Sequence, residues 1–230
     1  MTRSFTYSAL TLRVKPLGES NREAWFLTGE EGILRATVFG GPKSRFRSLV
    51  SPFHQGNLMI YYDPVRDTRK VTDFDVQSYR MGIRELWERI ICADALTETI
   101  LSSSGGGGNW LEALDLAGAV LDALEGADAA LCSRIAVYFL WHWAGLLGSR
   151  LDLSDSSAFE LKHDRLLWNM VGPDSIAWLK DIESLTPKDI NRVSPNNWSI
   201  NAASLEQAKI LSKAVMTEAL GRSLTTWDGI

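Results

Sequence analysis

The period of the hydrophobic pattern changes once along this chain, near Tyr79, and that change dictates two kinds of structure. Before it, short segments alternate polar and apolar residues, the signature of half-buried strands. After it, apolar residues recur three and four apart, as on one face of a helix. The strand candidates are Ser4–Val14, Arg22–Thr28, Ile33–Phe39, Phe53–Tyr62 and Lys70–Val76. In the first, Leu10, Leu12 and Val14 share a face on which Ser8 is the exception. Pro16 with Gly18, Thr28-Gly29, Gly40-Gly41-Pro42 and Asp63-Pro64 punctuate the candidates as turns. Five short strands in about 80 residues suit a small closed barrel such as the OB-fold. An SH3-like barrel has the same pattern, and periodicity does not separate the two.

Beyond Tyr79, Ile83, Leu86, Trp87, Ile90 and Ile91 form one apolar helical stripe. Ser102–Gly108 interrupts it and reads as a flexible linker; Asn109-Trp110 follows the glycines, so the Gly-Lys-Ser/Thr of a phosphate loop is missing. Leu111, Leu114, Gly118, Leu121 and Leu124 resume the period. Ala127–Leu147 is apolar almost all round, which predicts the buried centre of a helical bundle. Thr186-Pro187 and Ser204 with Gln207 read as helix starts, and Gly221 as a helix end. The predicted fold class is therefore α+β in two domains. A small five-stranded barrel, OB or SH3-like, occupies residues 1–80, and an all-helical domain occupies residues 81–230. The join is short and poor in Gly and Ser, so the two are expected to pack on each other.

Charge divides at the same place. Residues 1–80 hold 12 Lys and Arg against 8 Asp and Glu, a net +4, while residues 81–230 hold 12 against 20, a net −8. The local field matters more to a polyanion than the overall charge of −4. The most apolar run, Ile135–Leu147, carries His142 and falls short of the ~18 residues a membrane helix needs. The start, MTRSFTYSALTLRVK, has no apolar stretch of the signal-peptide kind. Cys92 and Cys132 both lie in apolar helical patterns and read as buried thiols, which suits a reducing cytoplasm.

Little in the sequence points to catalysis. His54, His142 and His163 show no metal-ligand spacing, and no G-x-S-x-G elbow is present. His142, between Trp141 and Trp143, reads as a core histidine. Asp152, Asp155, Glu160 and Asp164 read as a solvated acidic loop over Asp152–His163. The chain is thus expected to be no enzyme and to need no cofactor. The enzyme alternative, a hydrolase using His142 or His163, is open to a nuclease and phosphatase assay.

The richest segment is Gly40-Gly41-Pro42-Lys43-Ser44-Arg45-Phe46-Arg47, directly after a strand. Lys43, Arg45 and Arg47 can neutralise phosphates and release counterions. Phe46 can stack on a base or cover the mouth of the barrel. Arg13, Lys15 and Arg22 flank the first turn, and Arg35 lies on the polar face of the third strand. OB-folds bind across the sheet face and its adjoining loops, so these eight residues are the candidate DNA contacts. The aromatics Trp25, Phe26, Phe39, Phe53, Tyr61 and Tyr62 interleave with them.

These residues also resemble a known family. Leu12-Arg13, Gly18-Glu19-Ser20-Asn21-Arg22, Leu27-Thr28-Gly29-Glu30-Glu31-Gly32, the basic segment through Phe46, Leu49, Pro52-Phe53 and Tyr61-Tyr62 follow in the order seen in the N-terminal domain of RecO, the bacterial recombination mediator. Asn21 stands where the family usually has Asp. Leu220-Gly221-Arg222-Ser223-Leu224 is similar to the ending of the family's helical domain. Many RecO proteins carry a four-cysteine zinc knuckle; the corresponding stretch, Leu151–His163, contains no cysteine, so zinc is not expected.

The resemblance implies an OB-fold N-terminal domain over residues 1–80 and a helical C-terminal domain, in a non-enzymatic cytoplasmic protein of the nucleoid that binds single- and double-stranded DNA and anneals complementary strands. It implies that RecR joins it in loading RecA onto coated strands. The tail of the single-strand-binding protein, and RecF, are the further partners implied. The alternative is an OB-fold adaptor that binds RNA or protein only and does not anneal.

Overall fold

In a computed structural model, which describes residues 3–41, 43–103, 108–154, 170–190 and 198–230, the alternating segments form five strands. They are β1 (Ser4–Leu17), β2 (Asn21–Thr28), β3 (Gly32–Val38), β4 (Gln55–Asp63) and β5 (Thr68–Ser78). They close into a barrel in the order β1-β2-β3-β5-β4, with β1 pairing antiparallel to both β2 and β4 and a single parallel bridge, Thr37 to Lys70, joining β3 to β5. Five strands closed in this order form the expected OB barrel.

The barrel core is Tyr7, Ala9, Ala24, Phe26, Leu34, Ala36, Val38, Val50, Leu58, Ile60, Val71 and Phe74. The sequence put Ser8 on the inward face of β1 as an exception, and the structure corrects this. Register breaks between Thr11 and Arg13, so the face turned to the barrel core passes from Tyr7 and Ala9 to Val14. One extra residue reverses every later side chain, and Ser8 is simply exposed.

Two further pieces complete the first compact unit, Met1–Met81 with Asn109–Gly118. A one-turn helix, α1 (Phe46–Leu49), lies between β3 and β4, inside the segment read from sequence as a basic loop. Phe46 and Val50 pack into the barrel core from it. The first half of α3 (Trp110–Gly126) is the other piece. Trp110 lies so close to Gly32 that a Cβ there would come within 2.5 Å of its ring, and the φ of +72° at Gly32 favours glycine as well. Buried Arg80 binds the Phe53 carbonyl at 2.8 Å, Gln55 Oε1 at 2.7 Å and the Gly118 carbonyl at 3.3 Å.

The second unit, Gly82–Gly108 with Ala119–Ile230, is helical throughout its regular structure among the described residues. Its elements are α2 (Trp87–Ser102), the rest of α3, α4 (Ala129–Leu146), α5 (Pro173–Glu183), α6 (Ala202–Leu220) and a closing 3-10 turn, Thr226–Gly229. As the sequence implied, α4 is the central helix, packed by α2, α5 and α6, with Ile135–Trp141, Trp143 and Ala144 buried. Asp128 caps it by accepting from the Leu131 amide at 2.8 Å. Cys92 and Cys132 are free and buried, and the neighbouring Cys132 thiol, with burial, pushes the Cys92 thiol up. Gly221 ends α6 in the left-handed conformation, as read.

Three local expectations change. The stripe from Ile83 to Ile91 is no single helix: a 3-10 turn over Met81–Glu85 precedes α2, and extended Leu86 separates them. Trp87, predicted on the apolar face, is therefore 68% exposed. Asn201, rather than Ser204, caps α6, and Gln207 instead accepts from the Gly172 amide and the Ser175 hydroxyl, both at 2.8 Å. Thr186 ties to Asp189, but residues 187–190 make a turn. Most of the Ser102–Gly108 linker and of the Asp152–His163 loop lies outside the described residues, as do Pro42, Asp155, Glu160, His163, Asp164 and Trp168.

Candidate nucleic-acid interface

Outward-facing residues of neighbouring strands line up in rows, because cross-strand partners sit roughly 5 Å apart. One row on this barrel is Arg13, Trp25 and Arg35. The next is Lys15, Glu23, Thr37 and Lys70. Lys15 Nζ lies 5.6 Å and Arg35 Cζ 5.5 Å from the centre of the Trp25 ring. A ring flanked by two cations holds them in place through its quadrupole. Arg35 also makes an ion pair with Glu23. Arg13 and Lys15 are exposed and make no ion pair among the described residues. Lys70 lies 5.3 Å from the ring of Phe39, which follows β3 and is 45% exposed.

The 40–49 segment adjoins the start of β2. Gly40 has φ +126°, and a Cβ there would meet Ser44 at 2.5 Å, so the chain turns back on itself only with glycine. Its amide donates to Asn21 Oδ1 at 3.4 Å, a carbonyl acceptor in the position where the resembling family carries Asp. Arg22 then donates to the carbonyls of Phe46, at 2.7 Å, and Arg47, at 3.5 Å. Burial, and secondarily the charge of Arg47, lowers the Arg22 pKa. Arg45 pairs with Asp73 at 3.1 Å and lies 5.2 Å from the Phe46 ring centre. Lys43 and Arg47 project into solvent with no ion pair among the described residues.

The eight residues singled out from sequence thus divide by task. Arg13, Lys15, Lys43 and Arg47 present open charge. Arg35 and Arg45 present charge already shared with a carboxylate. Arg22 spends its donors on the backbone of α1, so its geometry is that of a latch on the basic segment. Phe46 is half-buried and packs against the barrel core. Sequence reasoning passed over Lys70 and gave Trp25 and Phe39 no particular place. Phe39 shares the parity of Arg35 and Thr37 along β3, a signal legible in the alternation. The pairing that brings Lys70 to that row is a parallel bridge, which alternation does not reveal.

A further cationic place on the barrel is fully engaged. Arg69 reaches Glu31 at 3.8 Å and lies 5.3 Å from the Tyr62 ring centre. The Tyr7 hydroxyl donates to Glu31 at 2.7 Å, and burial, followed by that hydrogen bond, pushes the Tyr7 pKa up to about 12.

In the helical unit, His142 Nε2 donates to the Ile182 carbonyl at 2.9 Å and its ring lies 4.1 Å from that of Tyr138. Burial lowers its pKa. This is the satisfied core histidine that its flanking tryptophans suggested. Trp178 and Trp198 are buried. Among the described residues no group of three His, Cys, Asp or Glu is placed to hold a metal ion, and no helix is long and apolar enough to cross a membrane.

Residues 1–79, the whole barrel, match the family described as Recombination protein O N terminal. No curated protein matches the chain.

Proposed function

We propose, from the match of residues 1–79 to the N-terminal domain of Recombination protein O, that the chain is a RecO-type protein of DNA recombination and repair and acts as a DNA-annealing mediator. It binds single- and double-stranded DNA on the Arg13–Trp25–Arg35 face and the 40–49 segment. It brings complementary strands together and, with RecR, assists the loading of RecA. RecF and the tail of the single-strand-binding protein are the further partners in this reading. The role is one of binding rather than catalysis, and its place is the cytoplasm, at the nucleoid.

The observation that carries the proposal is the arrangement of charge around the barrel. Arg13, Lys15, Lys43 and Arg47 are open cations beside one continuous sheet face. Annealing needs that combination: backbone phosphates held, bases left readable by the second strand. Phe46 packs against the barrel core, which supports a phosphate-holding surface over a base-stacking one.

The test is fluorescence anisotropy of labelled single-stranded DNA over a salt series, with the complementary strand then added. About 5–6 phosphate contacts give a log–log slope of roughly −4 on single strands. Salt-sensitive binding followed by accelerated annealing is the expected result. Binding without annealing returns the adaptor reading, and turnover in a nuclease or phosphatase assay overturns the non-catalytic one.

A further inference from the structure

We infer that Glu23 is an internal competitor for the phosphate and limits how tightly the sheet face holds DNA. The inference rests on the proposed function. The observation is one of place: Glu23 is the single carboxylate in the two rows Arg13–Trp25–Arg35 and Lys15–Glu23–Thr37–Lys70. It stands directly across from Lys15 and forms the ion pair with Arg35.

The exposures differ. The Glu23 side chain is 16% exposed and the Arg35 side chain 62%. A sheltered carboxylate is screened poorly by salt, so the pair persists where a surface pair fades. Arg35 meanwhile remains on the DNA-facing surface, held on the Trp25 ring. A phosphate approaching it meets a guanidinium whose charge is already balanced. To release a full counterion-displacing contact, Arg35 has to leave Glu23. Each strand held on this face is consequently one cation short of what the sequence supplies, and it leaves more readily. An annealing protein benefits, since product duplex has to be released.

The experiment compares wild-type chain with Glu23→Gln, an isosteric change, in the anisotropy salt series. One freed cation steepens the log–log slope by about 0.7 and tightens binding about fivefold at 0.1 M salt. Dissociation of single-stranded DNA slows accordingly. Arg35→Gln added to the Glu23→Gln background removes the freed cation and returns the slope to the wild-type value. A merely structural cross-strand pair shifts the melting temperature of Glu23→Gln and leaves its slope untouched. That result, with salt-sensitive binding by the wild type, overturns this inference alone. So does an unchanged slope in Glu23→Thr, a β-branched replacement that suits a strand and stays readable if Glu23→Gln fails to fold. Absence of binding by wild type and variant alike overturns the annealing reading together with this one.

Discussion

The sheet face centred on Trp25 and the segment from Gly40 to Leu49 look equally basic in sequence, yet they commit their cations differently. On the face, Lys15 and Arg35 are seated on an aromatic ring, and Arg35 is balanced by Glu23. In the segment, Lys43 and Arg47 are open, while the backbone that carries them is fastened by Arg22 and by Phe46 in the core. The face fixes side chains on a rigid sheet. The segment fixes a backbone and leaves its side chains free. Counting charges does not distinguish the two; the partners of each charge do.

The largest effect that can break this comparison is on the fastening itself. Phe46→Ala removes a partly buried ring from the barrel core and is expected to cost roughly 2–3 kcal/mol of stability by thermal or urea unfolding. Phe39→Ala, at an exposed ring, should stay within about 0.5 kcal/mol. Equal losses would mean that Phe46 is no core residue. Next, replacing Lys43, Arg45 and Arg47 together by Ala should weaken DNA binding by roughly 1–3 kcal/mol at low salt and flatten the salt slope. An unchanged slope would transfer the interface wholly to the sheet face.

Arg22→Lys keeps the charge but loses the planar fork that reaches two carbonyls. It should weaken binding by about 1 kcal/mol, the scale of a lost hydrogen bond, through a looser segment, and lower the melting temperature at the same time. Loss of affinity with unchanged stability would instead make Arg22 a direct phosphate contact.

The smallest effect, a change in pH dependence confined to alkaline pH, concerns the cation that is fully engaged. Tyr7 has its pKa raised to about 12 beside Glu31, which also holds Arg69. The unfolded chain releases that proton near the ordinary value of ~10, and the folded chain keeps it. Between those values the native state binds more protons, so stability declines as pH rises through the window. Tyr7→Phe should flatten this alkaline decline in pH-dependent unfolding. An equal decline in both proteins would place its origin elsewhere.

Much of the architecture was legible because it follows from local pattern. Alternation located all five strands to within a few residues, and near-uniform apolarity marked α4 as the central helix. What escaped depended on single residues out of step. The irregularity between Thr11 and Arg13 reversed the face of β1. Extended Leu86 split one expected helix and left Trp87 in solvent. Trp110 and the residues to Gly118 belong with the barrel, although their period is helical, because small Gly32 and Gly29 admit Trp110 and Leu111 against it. A period identifies the element, not the surface on which it comes to rest.

The sequence by itself determined the two kinds of structure, the basic character of the first 80 residues and the family domain that residues 1–79 match. These are properties of residue order and spacing, which the chain carries before it folds. Only the tertiary structure decided which cations are available. Glu23 and Arg35 are 12 positions apart, Arg45 and Asp73 are 28 apart, and Arg22 and Phe46 are 24 apart. The register of the β2–β3 hairpin brings the first pair together, and the packing of the 40–49 segment on the barrel brings the other two. Charge acts over a few ångströms of space, so the balance at each cation is settled by strand register rather than by neighbours in the chain.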